Sequence, residues 1–316
     1  MPLISVVVPV FHNAASVPDL QGRLSALAAA NPGDTFEFVF VDDGSRDDSF
    51  AVLETLSRTD ARIRVVKLSR NFGSNPAVLA GLSQARGAAV AVISADLQDP
   101  PELIGEMLTH WKSGRKVVVA ARAGRADPLP VRLPANLFYA LFRRGALPAM
   151  PPGGFDFCLI DRQVCDLLLG LRERALFLVG EILWLGFDPV VIPYQRAARP
   201  AKYGRSMWTA ARRLRHLADA FAGFSPLPLR AAFLFGIAAL LFGLLGGAGM
   251  LLALLFGREP AGWGIVLAVT LLLTGAQLLT LGVLGEYVWR ALDNSRGRPA
   301  YVIDRVVERG SECSGR

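Results

Sequence analysis

The stretch Phe36-Glu37-Phe38-Val39-Phe40-Val41-Asp42-Asp43-Gly44-Ser45 is a mostly apolar run that ends in a group of polar turn residues. The apolar part, 36–41, is typical of a strand buried on both faces. Similar runs occur at 4–10, 63–68, 88–94 and 117–121, and segments of helical periodicity lie between them at 15–30, 47–58, 76–85 and 101–113. This alternation predicts an α/β fold, a mainly parallel sheet with helices on both faces.

Polar residues follow each predicted strand, at the sheet edge where α/β proteins bind their ligands. These segments are Pro9–Asn13, Asp42–Ser45, Ser69–Gly73, Ser94–Glu102 and Arg122. No strand is followed by a GxGxxG or GxxxxGK[ST] motif, so the sequence does not favour a dinucleotide or P-loop site. A nucleotide would instead be bound through carboxylates that contact its base and ribose.

Asp96 and Gln98 are the strongest metal-ligand candidates in these segments. They occupy alternate positions after an apolar strand, and in an extended segment both oxygens would project to one side. Mg²⁺ accepts few protein oxygens and completes its shell with phosphate oxygens and water. Structural alternatives exist for the neighbouring polar groups: Ser45 could cap the next helix, and Asp99 could lie near the cap of the helix predicted from 101.

The C-terminal third explains why a chain of 316 residues reaches 52% hydrophobic residues and a mean hydropathy of +0.38. Two uncharged runs, 231–257 and 260–285, are 27 and 26 residues long and are separated by one arginine and one glutamate. About 20 apolar helical residues cross a bilayer. We therefore predict two transmembrane helices, at about 231–257 and 260–286, and domain limits of 1–228, 229–290 and 291–316. The composition excludes disordered, collagen-like and small disulfide-rich proteins.

Basic residues flank the predicted hairpin. Residues 190–228 contain seven basic residues and one acidic residue, and residues 290–316 contain six arginines and four acidic residues. The positive-inside tendency places both flanks in the cytoplasm, and the N-terminus lacks the basic region of a signal peptide. Segments near 130–146 and 206–224 mix apolar and basic residues as interfacial helices do. The positive charge thus favours a membrane partner, and nucleic-acid binding would leave the hairpin unexplained.

Several motifs occur together in a characteristic order. They are Val41-Asp42-Asp43-Gly44-Ser45, Ser69-Arg70-Asn71-Phe72-Gly73, Ala95-Asp96-Leu97-Gln98-Asp99-Pro100-Pro101-Glu102, Phe155-Asp156-Phe157-Cys158-Leu159, and two spans ending in Leu284-Gly285-Glu286-Tyr287. From about residue 4 to 301, the chain resembles the family-two polyprenyl-phosphate glycosyltransferases. The resemblance implies a GT-A fold at the cytoplasmic face of the inner membrane. It also implies metal-assisted, inverting transfer from a nucleotide sugar to undecaprenyl or another polyprenyl phosphate, with Mg²⁺ or Mn²⁺ as cofactor.

The resemblance also assigns roles to individual residues. Pro9, Asn13, Asp42 and Asp43 would bind the nucleotide, and Asp96 and Gln98 the metal. Arg122, Arg132, Lys202 and Arg205 would bind the diphosphate or the lipid phosphate. Asp156 occupies the position of the family's proposed catalytic aspartate, next to the acceptor; a strand residue satisfied by backbone donors is the alternative. Family members also suggest a homo-oligomer assembled through the membrane segment.

Three departures from the family pattern leave other functions open. Ser94 replaces a usual aspartate, Ala14 replaces an acid, and Met207 replaces a usual lysine. These changes keep a catalytically silent nucleotide-sugar or lipid-binding membrane protein as an alternative. A processive polysaccharide synthase is less favoured, because the chain lacks the Gln-x-x-Arg-Trp motif and has only two predicted spans.

Overall fold

The computed structural model describes residues 1–122, 149–151, 154–171, 177–197, 227–256 and 263–309. The chain divides into two compact units. The first comprises Met1–Arg213 and Arg298–Arg316, and the second comprises Leu214–Gly297.

The first unit contains an eight-stranded mixed sheet within its described residues. The strands are β1 (Leu3–Val10), β2 (Thr35–Asp42), β3 (Ile63–Leu68), β4 (Ala89–Val92), β5 (Val117–Arg122), β6 (Phe157–Asp161), β7 (Val190–Tyr194) and β8 (Ile303–Val307). They lie in the order β7-β5-β6-β4-β1-β2-β3-β8. β6 runs antiparallel to β4 and β5, and β8 runs antiparallel to β3, whereas the other four pairs are parallel. The predicted mainly parallel α/β sheet is confirmed.

Helices cover both faces of this sheet. They are α1 (Val17–Ala30), α2 (Ser49–Thr59), α3 (Ser74–Gln84), α4 (Leu103–Lys112), α5 (Arg162–Gly170) and α6 (Leu178–Trp184). The four helices predicted from periodicity are α1 to α4, and each observed end lies within two residues of the predicted one.

The opposite orientation of successive β1 side chains shows how the two layers form. Val6 and Val8 join Leu20 of α1 in the main apolar core, and all three are fully buried. Val7 points to the other face, where α3 approaches so closely that a Cβ at Gly81 would lie 2.3 Å from Val7 Cγ1. Burial of both faces explains why this strand has an almost continuous apolar sequence.

The edge strand β8 lies within residues 291–316, for which the sequence predicts only a tail. It pairs with β3, and a buried ion network connects the two strands. Arg64 Nε lies 2.5 Å from Glu308 Oε1, and Arg64 Nη1 lies 3.6 Å from Glu37 Oε2. The chain therefore returns to the sheet after the second unit.

The second unit contains two long helices, α7 (Leu227–Leu255) and α8 (Trp263–Ser295), where the sequence predicts two spans. Over the residues that the structure describes, no helix qualifies as a candidate membrane span. The predicted transmembrane hairpin is therefore not confirmed, and the predicted domain limits stay predictions. The predicted interfacial segments near 130–146 and 206–224 lie outside the described residues.

Candidate active site

The strand order places a topological switch point at the carboxyl ends of β1 and β4. The chain continues from β1 to β2 on one side, whereas β4 pairs with β1 on the other side. Loops that leave neighbouring strands on opposite sides of such a switch point diverge and leave room for a ligand. The Ser16 hydroxyl connects the two loops by donating to the Ala95 carbonyl oxygen, at 2.8 Å.

The loops after β1, β2 and β3 form the first half of the site, which we call the turn cluster (His12–Asn13, Asp42–Ser45 and Asn71–Gly73). The His12 N–H donates to Ser45 Oγ at 3.1 Å. Gly44 has φ +66°, and a Cβ at this position would lie 2.5 Å from the backbone carbon of Arg70. Only glycine allows the second loop to pack this closely against the third. Ser45 does not cap α2, whose N-cap residue is Asp48, so the capping alternative is wrong.

Asp43 holds the third loop in place. Its two carboxylate oxygens accept hydrogen bonds from the backbone N–H groups of Phe72 and Gly73, at 2.7 and 2.9 Å. Burial raises the pKa of Asp43 to about 6, although these two hydrogen bonds favour the charged form and oppose the shift. The carboxylate thus has a structural role, and it keeps lone pairs for further donors.

In the described part of the chain, Asp42 carries a buried, unpaired acceptor oxygen in the same cluster. Its side chain is fully buried, and Oδ1 accepts from the Ser45 N–H at 3.3 Å. Within the described residues, Oδ2 has no hydrogen-bond donor. Burial raises the pKa of Asp42 above its usual range, and the hydrogen bonds from Ser45 oppose this rise. A ligand N–H or hydroxyl group would satisfy this buried oxygen.

The second half of the site, which we call the charged cluster, consists of Asp96, Asp99, Arg122, Asp156, Tyr194 and Arg196. It forms where β4, β6, β5 and β7 lie side by side. Because β6 is antiparallel to its neighbours, its first residues lie at the edge where the other three strands end. Arg122 Nη2 lies 2.8 Å from Asp156 Oδ2, and the Asp156 side chain is 67% exposed. Asp156 is therefore paired with an arginine, contrary to the backbone-donor alternative.

Tyr194 connects the two sides of the charged cluster. Its hydroxyl donates to Asp99 Oδ1 at 2.5 Å and also accepts a hydrogen bond from Arg122. Asp99 is 1% exposed, and burial raises its pKa, whereas Arg196 and Tyr194 oppose the shift. The N-cap residue of α4 is Glu102, so Asp99 lies three residues before the cap, and its carboxylate contacts Tyr194 and Arg196.

The predicted metal ligands lie in a turn and not in the extended segment that their spacing predicts. β4 ends at Val92, and Leu97 has φ +60°, so Asp96 Oδ1 accepts the Gln98 N–H at 3.1 Å. The Gln98 side-chain amide donates to the Ala197 carbonyl at 3.1 Å. Among the described residues there is no group of three or more His, Cys, Asp or Glu side chains that could hold a metal. One carboxylate and one amide suit only a cation that takes most of its ligands from phosphate and water.

The described residues bring most of the predicted site together. The turn cluster includes Asn13, Asp42 and Asp43, and Pro9 pairs with Val41 at the ends of β1 and β2. Asp96, Arg122 and Asp156 belong to the charged cluster. The predicted phosphate ligands Arg132, Lys202 and Arg205 lie outside the described residues.

Sequence reasoning missed the roles of Asp99, Tyr194 and Arg196. Tyr194 and Arg196 lie at and just after the end of β7, a strand that was not predicted. The run Val190-Val191-Ile192 was the available signal, but Pro193 interrupts it.

Comparisons with known proteins agree with this geometry. The profile of glycosyl transferase family 2 matches residues 5–168. The chain is 35% identical to the bactoprenol glucosyl transferase of Shigella phage SfV, over 95% of this chain and 97% of the relative. It is 37% identical to the undecaprenyl-phosphate 4-deoxy-4-formamido-L-arabinose transferase of Pseudomonas aeruginosa (strain LESB58), over 96% and 90%.

Among solved structures, the mannosyltransferase PcManGT from Pyrobaculum calidifontis, in complex with GDP-Man and Mn²⁺, shares the GT-A fold. Its TM-score is 0.51 at 18% sequence identity, with coverage of 93% of this chain and 87% of that one. The family profile covers more than half of the chain, and the relatives match it over nearly its full length. Together with the site at the strand ends, these matches show that this chain is a glycosyltransferase and belongs to glycosyl transferase family 2.

Proposed function

We propose that this enzyme transfers a sugar from a nucleoside diphosphate sugar to a polyprenyl phosphate, with inversion at the anomeric carbon. The charged cluster carries this proposal, because it gathers carboxylates and guanidinium groups at the sheet edge that also holds the turn cluster. The two relatives described above are named for transfer to bactoprenol and to undecaprenyl phosphate. A lipid phosphate is therefore the proposed acceptor.

The donor nucleotide binds along the turn cluster in this proposal. Asp42 Oδ2 accepts a donor from the base or ribose, because it is a buried oxygen of the turn cluster without a hydrogen-bond partner among the described residues. Asp43 contributes its remaining lone pairs and fixes the third loop, and Pro9 and Asn13 line the end of β1. The diphosphate then extends from the turn cluster toward Asp96.

The diphosphate leaves with negative charge, which the site must stabilise. Arg122 is 21% exposed and is fixed by Asp156 on one side and Tyr194 on the other, so it presents a pre-oriented positive charge. Mg²⁺ or Mn²⁺, when bound at Asp96 and Gln98, would supply further charge neutralisation for the leaving group. We assign Arg132, Lys202 and Arg205 to the diphosphate or the lipid phosphate.

The acceptor does not require a strong general base. A phosphate monoester has a second pKa near 6, so most of the lipid phosphate is a nucleophilic dianion at pH 7. Asp156, which is exposed and lies 2.8 Å from Arg122, acts by orienting that guanidinium and by its charge near the acceptor.

We further propose that α7 and α8 form a membrane hairpin at the inner membrane, with the catalytic unit in the cytoplasm. The uncharged runs 231–257 and 260–285 and the basic flanks support this placement. Both ends of the second unit continue into the first unit, as an even number of crossings requires. Identical chains would assemble through this segment. Protease protection of residues 257–262 in sealed inverted vesicles tests the topology, and cleavage there from the cytoplasmic side would contradict it.

A transfer assay tests the proposed activity. Purified full-length protein is incubated with radiolabelled nucleotide sugars, Mg²⁺ or Mn²⁺ and undecaprenyl phosphate, and the product is extracted into organic solvent. We expect labelled lipid, which disappears with EDTA and in Asp96→Asn. Asp188→Asn is the matched control, because this carboxylate is 87% exposed and lies before β7, away from the strand ends that form the site.

The same assay distinguishes the alternatives. A protein that yields no labelled lipid with any donor of a broad panel is the silent binding protein. A long water-soluble polymer would identify a polysaccharide synthase.

A further inference from the structure

Arg196 lies between two carboxylates of the site, although the proposed function assigns it no role. It comes from the loop after β7, and its side chain is 24% exposed. Its Nη2 lies 3.4 Å from Asp96 Oδ2, and its Nε lies 3.1 Å from Asp99 Oδ1. Arg196 therefore supplies the positive charge next to Asp96, the carboxylate to which the proposed function assigns a divalent cation.

Both ion pairs of Arg196 are weak in their geometry. The contact with Asp96 is long for a charge-assisted hydrogen bond, which is ordinarily about 2.7–2.9 Å. Arg196 Nε makes no hydrogen bond among the described residues, despite its distance of 3.1 Å from Asp99. By contrast, Arg122 and Asp156 pair at 2.8 Å in the same cluster. Of the two arginines of the charged cluster, Arg196 is thus the one more easily released from its carboxylates.

The residue after Arg196 engages the second proposed metal ligand. The Ala197 N–H donates to the Gln98 carbonyl at 3.0 Å, and the Gln98 side-chain amide donates to the Ala197 carbonyl at 3.1 Å. Both residues assigned to the metal therefore contact the segment Arg196–Ala197. A cation that takes Asp96 competes with Arg196, whereas Gln98 donates to Ala197 through its amide nitrogen and can offer its side-chain oxygen to the cation without losing that bond.

We propose that Arg196 is an exchangeable counter-cation: it neutralises Asp96 in the absence of metal and turns to the donor diphosphate when a divalent cation takes Asp96. This inference deepens the proposed function and rests on it for the second half of the exchange. After the exchange, Asp99 still attracts Arg196 by its charge at 3.1 Å, and the Tyr194 hydroxyl holds the Asp99 carboxylate in place at 2.5 Å. Asp99 and Tyr194 are positioning residues in this scheme.

The proposal predicts that removal of the Arg196 charge changes the affinity for Mn²⁺ and the affinity for the nucleotide in opposite directions. In Arg196→Gln, Mn²⁺ alone should bind more tightly, by roughly threefold to tenfold, because a competing cation is lost from Asp96. At saturating Mn²⁺, the affinity for UDP or GDP should fall by at least a similar factor, because the diphosphate loses a partner. A purely structural role of Arg196 would weaken both affinities.

The experiment uses full-length protein, electron paramagnetic resonance for Mn²⁺ alone, and calorimetry for UDP and GDP with Mn²⁺ present. Arg196→Lys keeps the charge and should restore most of the wild-type values. Arg115→Gln is the control for net charge, because Arg115 is 53% exposed and pairs with Asp188 before β5 and β7.

Unchanged or weaker Mn²⁺ binding in Arg196→Gln would overturn the proposal, and so would unchanged affinity for the nucleotide. Failure of the wild type to bind either nucleotide would instead exclude donors that carry UDP or GDP. In that case the Mn²⁺ measurement alone still decides whether Arg196 is the counter-cation of Asp96.

Discussion

Gly44→Ala should disrupt the turn cluster far more than an ordinary glycine substitution. Gly44 has φ +66°, and an alanine in this left-handed conformation costs about 1–2 kcal/mol. In addition, the new Cβ would lie 2.5 Å from the carbon of Arg70 and 2.6 Å from the nitrogen of Asn71. Both are backbone atoms, so no side-chain rotation relieves the contact, and the third loop must move by about 1 Å to reach ordinary van der Waals distance.

This displacement affects the hydrogen bonds that Asp43 accepts from Phe72 and Gly73, at 2.7 and 2.9 Å. A shift of about 1 Å takes both beyond hydrogen-bond range, and hydrogen bonds to a charged group contribute about 1.5–3 kcal/mol each. With partial relaxation, we expect Gly44→Ala to lower the free energy of unfolding by about 3–5 kcal/mol. The melting temperature should fall by about 6–20 °C, at about 2–4 °C per kcal/mol for a unit of this size.

Gly114→Ala is the matched control, since Gly114 also has a positive φ, +95°, but a methyl group added there would meet no atom within 4 Å. It should show only the backbone strain of about 1–2 kcal/mol. Differential scanning fluorimetry of the full-length chain gives both melting temperatures, and calorimetry gives the affinity for UDP and GDP. Equal losses in the two variants, or full nucleotide affinity in Gly44→Ala, would refute the close packing of the two loops.

Buried groups lead to three further predictions. Nucleotide affinity should fall as the pH is lowered through about 6, because protonation of Asp43 removes a loop acceptor; calorimetry should show no such step in Asp43→Asn. The pKa of Asp43 is about 6 in the folded state, against an ordinary value of 3.8. Protonation of this carboxyl group therefore favours the folded state at low pH, and this contribution to the free energy of unfolding is lost as the pH rises from about 4 to about 6. Burial raises the thiol pKa of Cys158 to about 12 and of Cys165 to about 11, so iodoacetamide at pH 8 should label them, by mass spectrometry, only after unfolding. Arg64→Met leaves the carboxylates around β8 without their buried partner and should cost about 2–4 kcal/mol in urea unfolding, against less than about 1 kcal/mol for Arg23→Met, whose ion pair is exposed.

The parts of the fold that could be predicted are those with a strong local pattern. The strands β1 to β5 are runs of apolar residues buried on both faces, and their sequences show this directly. β8 has a different composition, because it is an edge strand with Asp304 and Arg305 among its five residues. Its place in the sheet depends on pairing with β3, across more than 230 residues of sequence. No local pattern contains that information.

The candidate site also has a part that the sequence predicts and a part that it does not. Asp42, Asp43 and Asp96 follow predicted strands, so the general rule for α/β sheets identifies them. The contact between Asp99 and Tyr194 joins residues 95 positions apart, and it depends on the pairing of β5 with β7. The local sequence around Asp99 indicates only the start of a helix, and it does not show that the Asp99 side chain is buried against Tyr194.

Asp156 shows why the mixed sheet matters for the chemistry. It precedes β6, so a search restricted to residues that follow strands would omit it; because β6 is antiparallel, its first residues lie at the same edge as Arg122. The charged cluster then contains three carboxylates and two guanidinium groups among the described residues, a net charge of −1. A diphosphate adds further negative charge, so this half of the site attracts it only together with a cation. When Arg196 turns from Asp96 to the diphosphate, the metal binds at Asp96. Asp96 and Asp99 then each still have a cation next to them.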